Sequence, residues 1–214
     1  MTVDLLAGTV VHGAFTDVVY GIEQITTGAG NDTISGSHFA DYIYGFSGDD
    51  SINAGAGIDT VYGGDGADQI DGGEDTDVLY GSAGTDLIQG GLGTDYIYGG
   101  NDNDTLLGGE GNDVIRGAES DGSGSSGDNS IDGGAGNDTI FGGGGNDSIY
   151  GGDGNDFIGW DNGYYTGYSE NEYGNDTIDG GAGRDWIDGG YDNDSLRGGS
   201  GDDTVYAGSG NDKL

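Results

Sequence analysis

The sequence predicts an all-β solenoid, a stack of eighteen-residue coils with two nine-residue units in each, and three observations point to it. A unit such as Gly63-Gly64-Asp65-Gly66-Ala67-Asp68-Gln69-Ile70-Asp71 recurs from Thr27 to Leu214. Its eighth place is aliphatic in all nineteen copies, and its sixth is aspartate in eighteen. Glycine supplies 53 of the 214 residues, and proline and cysteine are absent. Strict repetition at a short period marks a chain in which each unit packs only on its neighbours.

Charge narrows the class further. Forty acidic groups face only Arg116, Arg184, Arg197 and Lys213, a formal net charge of -36. So acidic a chain with so few aliphatics is ordinarily disordered. Here aliphatics and aspartates both keep register, which an unstructured acidic tail has no reason to do. The charge calls for a counter-cation. Nucleic acid and anionic membrane surfaces are poor partners, because binding them relies on basic patches. There is no apolar run long enough to span a bilayer and no basic-then-apolar leader. Absence of cysteine leaves the compartment open.

Residues 1–26 precede the clear units and read as an amino-terminal cap. Val3-Asp4-Leu5-Leu6 and Val10-Val11 have strand character, and Gly21-Ile22-Glu23-Gln24-Ile25 is a degenerate unit with Glu23 in the place of aspartate. Ten units then begin at Thr27, Gly36, Gly45, Ala54, Gly63, Gly72, Gly81, Gly90, Gly99 and Gly108. A Gly/Ser/acidic insertion at 117–123 breaks the register. Units resume at Gly124, Gly133, Gly142 and Gly151, pause for a tyrosine-rich insertion at 160–170, and continue from Asn171, Gly180, Gly189, Gly198 and Ala207. The last stops one residue short of completion, so the chain reads as a fragment of a longer one.

Each place in the unit has a physical reason. Glycines at the first, second and fourth places permit positive φ and a close turn. After the aspartate, the eighth place points to one side and the seventh and ninth to the other. The eighth places are Ile34, Ile43, Ile52, Val61, Ile70, Leu79, Ile88, Ile97, Leu106, Ile115, Ile131, Ile140, Ile149, Ile158, Ile178, Ile187, Leu196, Val205 and Leu214. Turn, strand, turn, strand returns the chain to its start after two units, so coils stack about 4.8 Å apart and bury a thin double row of aliphatics.

So thin a core cannot hold the turns unaided. The sixth places supply Asp32, Asp41, Asp50, Asp59, Asp68, Asp77, Asp86, Asp95, Asp104, Asp113, Asp138, Asp147, Asp156, Asp176, Asp185, Asp194, Asp203 and Asp212, with Asn129 the exception. Stacking sets Asp68 beside Asp50 and Asp86, where bare carboxylates repel. A hard divalent cation between turns converts that repulsion into binding, and glycine carbonyls complete the six to eight oxygens that Ca²⁺ takes. Mg²⁺ demands a tighter octahedron, and with only His12 and His38 zinc lacks ligands. Roughly one ion per stacked pair of turns, a dozen or more in all, offsets most of the charge. The rival explanation, turn-capping by each aspartate alone, suits a single Asx turn better than eighteen in register.

These nineteen units resemble the RTX, or haemolysin-type, calcium-binding repeat family over 27–214, the two insertions apart. The resemblance implies a parallel β-roll, Ca²⁺ held in the turns by the sixth-place aspartates and backbone carbonyls, and export by a type I system to fold outside the cell. Some units depart from the pattern. Gly36-Ser37-His38-Phe39-Ala40-Asp41 lacks two of its three glycines, and Asp75, Asp102 and Asp192 replace the fourth-place glycine. Asn129 gives up a charge and marks a weak or empty site. The secretion signal that the family carries at its carboxy terminus is not visible.

Sorting outward residues by coil side exposes an asymmetry. Tyr42, Tyr44, Tyr62, Tyr80, Tyr96, Tyr98, Phe141, Phe157, Trp186 and Tyr206 share one face, while the other carries mostly small polar residues and Tyr150. Such residues suit exposed strands and stack on their like; they also suit an adhesive surface for a glycan or a protein. Catalysis finds no support, because the carboxylates are accounted for by metal and a uniform rod offers no nucleophile, base and cleft. The expectation is a calcium-dependent folding module of a larger secreted protein, structural, adhesive or secretion-assisting; the alternative is a glycan-binding accessory module of a polysaccharide-modifying enzyme.

Overall fold

The computed structural model describes residues 1–4, 24–118, 127–159 and 173–214, together with the backbone of strands Thr9–His12 and Phe15–Val18. Glu23, Trp160, Tyr164, Tyr165 and Tyr168 lie outside the described residues, as does the side chain of His12. Among the described residues there are twenty-two strands and no helix. From Gln24 onward successive strands alternate between a twelve-stranded and a ten-stranded sheet. Each coil therefore spends one unit in each sheet, and the chain is a parallel β-solenoid.

Register follows the period. Leu79 lies between Val61 and Ile97, 18 residues away on either side. The offset widens to 25 at Leu106–Ile131 and Ile115–Ile140, and to 29 at Ile149–Ile178 and Ile158–Ile187. The later strands nevertheless keep the register of the aliphatic row. Gly117 and Ala118, expected inside an insertion, stay in the coil: the Gly100 N–H donates to the Gly117 carbonyl, and Ala118 is buried. Gly-Ala meets the demand for small residues at the first two places as well as Gly124-Ser125 does, so sequence alone could not choose. The extra residues fall between Ala118 and Gly127.

At the amino terminus, Thr2–Asp4 pairs parallel with Thr33–Ser37 and antiparallel with Thr9–His12, which pairs antiparallel with Phe15–Val18. Val3 aligns with Ile34 and is buried, extending the aliphatic row. Gln24–Thr26 pairs parallel with Tyr42–Ser47 and sets Ile25 beside Ile43, in the register expected of a degenerate unit.

The core is the predicted double row. Seventeen eighth-place residues, from Ile34 to Leu196, are buried, and Val205 is partly so. Leu214 differs, at 81 % exposed. On the ten-stranded sheet Tyr44, Tyr62, Tyr80 and Tyr98 form a ladder, with ring centroids 4.8, 4.6 and 4.7 Å apart and planes within 10°. Further along, the Arg116 guanidinium lies 4.4 Å from the Phe141 ring centre, and Phe157 stacks on Trp186 at 4.5 Å.

Many second-place residues take left-handed backbone: Gly64 and Gly100 have φ of 121° and 117°, and Phe46 and Ser82 are held there at 78° and 83°. That region costs a residue with a Cβ about 1–2 kcal/mol. Ser82→Gly is therefore expected to stabilise the protein by about 1 kcal/mol. A urea midpoint that fails to rise in saturating calcium would contradict it.

Candidate metal centre

The turns arrange the sixth-place side chains in two columns. One runs through Asp32, Asp50, Asp68, Asp86, Asp104, Asn129, Asp147, Asp176, Asp194 and Asp212. The other runs through Asp41, Asp59, Asp77, Asp95, Asp113, Asp138, Asp156, Asp185 and Asp203. Within a column, Oδ1 of each side chain after the first accepts the N–H of the sixth-place residue one coil earlier, at 2.7–3.1 Å. All eighteen aspartates thus join the columns, and all but Asp203 and Asp212 are buried.

One carboxylate oxygen is accounted for; the second is not. In thirteen of these residues, from Asp50 to Asp194, Oδ2 is buried with no hydrogen-bond partner. The place it points to is defined by the first-place glycine of the same unit. A Cβ on Gly45 would lie 2.3 Å from Asp50 Oδ2 and 2.5 Å from the Gly63 carbonyl oxygen one coil on. Gly81 repeats this with Asp86 Oδ2 at 2.3 Å and the Gly99 carbonyl at 2.6 Å, and Gly90 with Asp95 Oδ2 at 2.5 Å and the Gly108 carbonyl at 2.6 Å. At these three turns a side chain in the first place would enter the space in which a carboxylate oxygen and a carbonyl oxygen meet. Two partial or full negative charges facing each other out of water are unfavourable unless a cation or a proton lies between them.

Titration behaviour reports the same conflict. Burial pushes Asp59, Asp77, Asp86, Asp104, Asp138 and Asp176 up to about 7 and Asp68, Asp113, Asp147 and Asp156 up to about 6. The N–H donated to Oδ1 opposes the rise, and for most of them a neighbouring carboxylate adds to it. Asp32 goes the other way: burial raises it, but the Met1 ammonium, the Thr27 hydroxyl and the Gly28 N–H together outweigh burial and lower it.

Among the described residues no three carboxylate or imidazole side chains converge on a point. Side chains alone therefore cannot supply the oxygens that a calcium ion takes, and the glycine carbonyls must provide the remainder. All-oxygen donors of this kind suit a hard cation and leave zinc without its usual nitrogen or sulfur. The profile of the family described as RTX calcium-binding nonapeptide repeat matches residues 19–45, 26–61, 44–79, 80–115, 123–158, 172–205 and 179–214. The chain belongs to this family. No curated protein matches it.

Its RTX units are not equivalent. In the degenerate unit of Gly36, the Ser37 N–H donates to Asp41 Oδ2 at 2.7 Å and Oδ1 is the oxygen left over. Asp75, Asp102 and Asp192, in place of the fourth-place glycine, adopt φ of 79°, 73° and 77°, whereas Gly66 and Gly93 stand at 140° and 144°. Aspartate tolerates the left-handed region and reshapes those turns.

The fifth place was overlooked in the sequence. Asn137 Nδ2 donates to Asn112 Oδ1 at 3.3 Å and Asn155 Nδ2 to Asn137 Oδ1 at 2.8 Å; Asn146, Asn175 and Asn193 form a like series in the other column. These exposed amide ladders run alongside the aspartate columns. The signal was the recurrent Asn-Asp pair at places five and six, as at Asn112-Asp113 and Asn155-Asp156.

Proposed function

We propose that this RTX β-roll binds Ca²⁺ in its turns through the eighteen sixth-place aspartates and the first-place glycine carbonyls of the adjoining coil, and that binding drives folding of the module outside the cell. The observation that carries this reading is the row of thirteen buried, unpartnered Oδ2 atoms, eleven of which share the space beside a first-place glycine with a carbonyl oxygen of the adjoining coil. Bound ions supply the positive charge that makes this arrangement favourable. Because the unfolded chain has no such sites, metal adds free energy to the coiled state alone. Residues 1–26 act as the cap and 27–214 as the roll, whose units are interrupted between Ala118 and Gly127 and at 160–170. The module is a structural, adhesive or secretion-assisting part of a larger secreted protein, exported by a type I route, with no catalytic role of its own.

Circular dichroism tests it. At pH 8 in EDTA the protein is expected to lack β signal, to gain it as calcium is titrated in, and to lose it on chelation, with magnesium far less effective. Full β content in excess EDTA at that pH would refute the reading.

A glycan-binding role for the aromatic face is the second reading, favoured by the exposure of Tyr42, Tyr96 and Tyr206 at 36–54 %. Sugars stack on ring faces, however, and in the Tyr44–Tyr98 ladder those faces are already turned to one another. Glycan binding by the native roll that is lost in a Tyr62→Ser, Tyr80→Ser, Tyr98→Ser variant would promote this second role over the first.

A further inference from the structure

We propose that the turn at Asn129 closes without an ion, its side-chain amide doing the work that a cation does elsewhere, so that one column of calcium sites is divided in two. The inference rests on the calcium reading above and concerns one position in it. Asn129 Oδ1 accepts the Asp104 N–H at 2.9 Å, as the aspartates of the column from Asp50 onward do for the coil before them. Its Nδ2 donates to the Gly142 carbonyl at 3.3 Å. A Cβ on Gly117 would lie 2.4 Å from that Nδ2 and 2.1 Å from the Gly142 oxygen; one coil earlier, a Cβ on Gly99 would lie 2.4 Å from Asp104 Oδ2 and 2.7 Å from the Gly117 oxygen. The two turns share one geometry, and a donor has replaced an acceptor. Where two oxygens face each other a cation is needed; an N–H facing an oxygen is complete and repels a cation.

The amide orientation is forced by its surroundings. Turned over, Nδ2 would face the Asp104 N–H, donor against donor, and Oδ1 would face the Gly142 carbonyl. The neighbouring Asp128 occupies the fifth place, where an acceptor suffices: it takes bonds from the Asn146 N–H at 2.7 Å and Asn146 Nδ2 at 3.0 Å. Asp128-Asn129 is therefore the usual Asn-Asp pair in reverse order, and only the sixth-place half of the exchange alters the site. The extra residues between Ala118 and Gly127 are not the cause, since Gly117 presents its carbonyl to the coil before it like any first-place glycine.

The double variant Asp128→Asn, Asn129→Asp restores the usual order with composition and charge unchanged. Bound calcium per chain, measured by equilibrium dialysis and metal analysis, is expected to rise by about one ion. The mirror variant Asp86→Asn is expected to lose about one, while both keep their β signal in saturating calcium. An unchanged count in the double variant overturns this proposal and leaves the calcium reading standing, as does a double variant that no longer folds in calcium. A native chain that binds no calcium overturns both.

Discussion

Gly111→Ala is expected to destabilise the roll by more than about 3 kcal/mol, enough to unfold its central coils in moderate urea even with calcium saturating. A Cβ at this fourth place would sit 1.3 Å from the Gly93 carbonyl oxygen and 2.5 Å from its carbon, and φ is 138°. Neither atom can swing aside like a flexible side chain, because both belong to the backbone of the adjoining coil. Relief would require parting the coils or rotating the turn. Asp75, Asp102 and Asp192 show what rotation looks like, with φ near 75° in place of the glycine value. Gly111→Asn, able to take that left-handed conformation, is accordingly expected to be milder than Gly111→Ala although its side chain is larger. Gly28→Ala, where a Cβ meets nothing within 4 Å, is the control and should change stability by less than about 0.5 kcal/mol. Urea midpoints in the order Gly28→Ala, Gly111→Asn, Gly111→Ala, from highest to lowest, are the expected result; alanine milder than asparagine would contradict it.

Acid is expected to do in part what calcium does. Without metal, ten of the turn carboxyls, Asp59, Asp68, Asp86 and Asp176 among them, are raised by burial to about 6–7 in the folded chain, against 3.8 for the ordinary carboxyl. Between those limits the folded state binds more protons than the unfolded one, so stability rises as pH falls through 7 and levels off near 4. Metal-free protein that is unfolded at pH 8 should therefore regain β signal near pH 5, still above the isoelectric point of about 4.1. With calcium present the sign of the pH effect on binding reverses, because protons compete for the same oxygens: calcium affinity should fall over the same window. A dichroism series in EDTA from pH 8 to pH 5 checks the first half, and a calcium titration at each pH checks the second. Metal-free chains equally unfolded at both ends would show that protonation does not relieve the buried carboxylates.

Much of the structure was legible because the repeat states it many times over. The offset of 18 residues between partner strands, the inward side of Ile97 and Leu106, and the gathering of Tyr62, Tyr80 and Tyr98 on one sheet all follow from counting places. What counting could not reach were facts about individual atoms. It placed Asp50 beside Asp68 but not the division of labour within the carboxylate, Oδ1 tied to a backbone N–H and Oδ2 left over. It flagged Asn129 as missing a charge without showing that its amide reaches Gly142. It passed over the amide ladder of Asn137 and Asn155, and it assigned Gly117 and Ala118 to a loop.

By itself the sequence determined the period, the face of each residue and the choice of a hard cation, since these depend only on place within the unit and on donor chemistry. Only the stacked coils decided which oxygen of each aspartate is free, which glycine has no room for a methyl group and which turn closes on its own amide. The reason is geometric: partners 18, 25 or 29 residues apart in the chain become hydrogen-bonded neighbours, and what an atom must bond to is set by the coil lying against it.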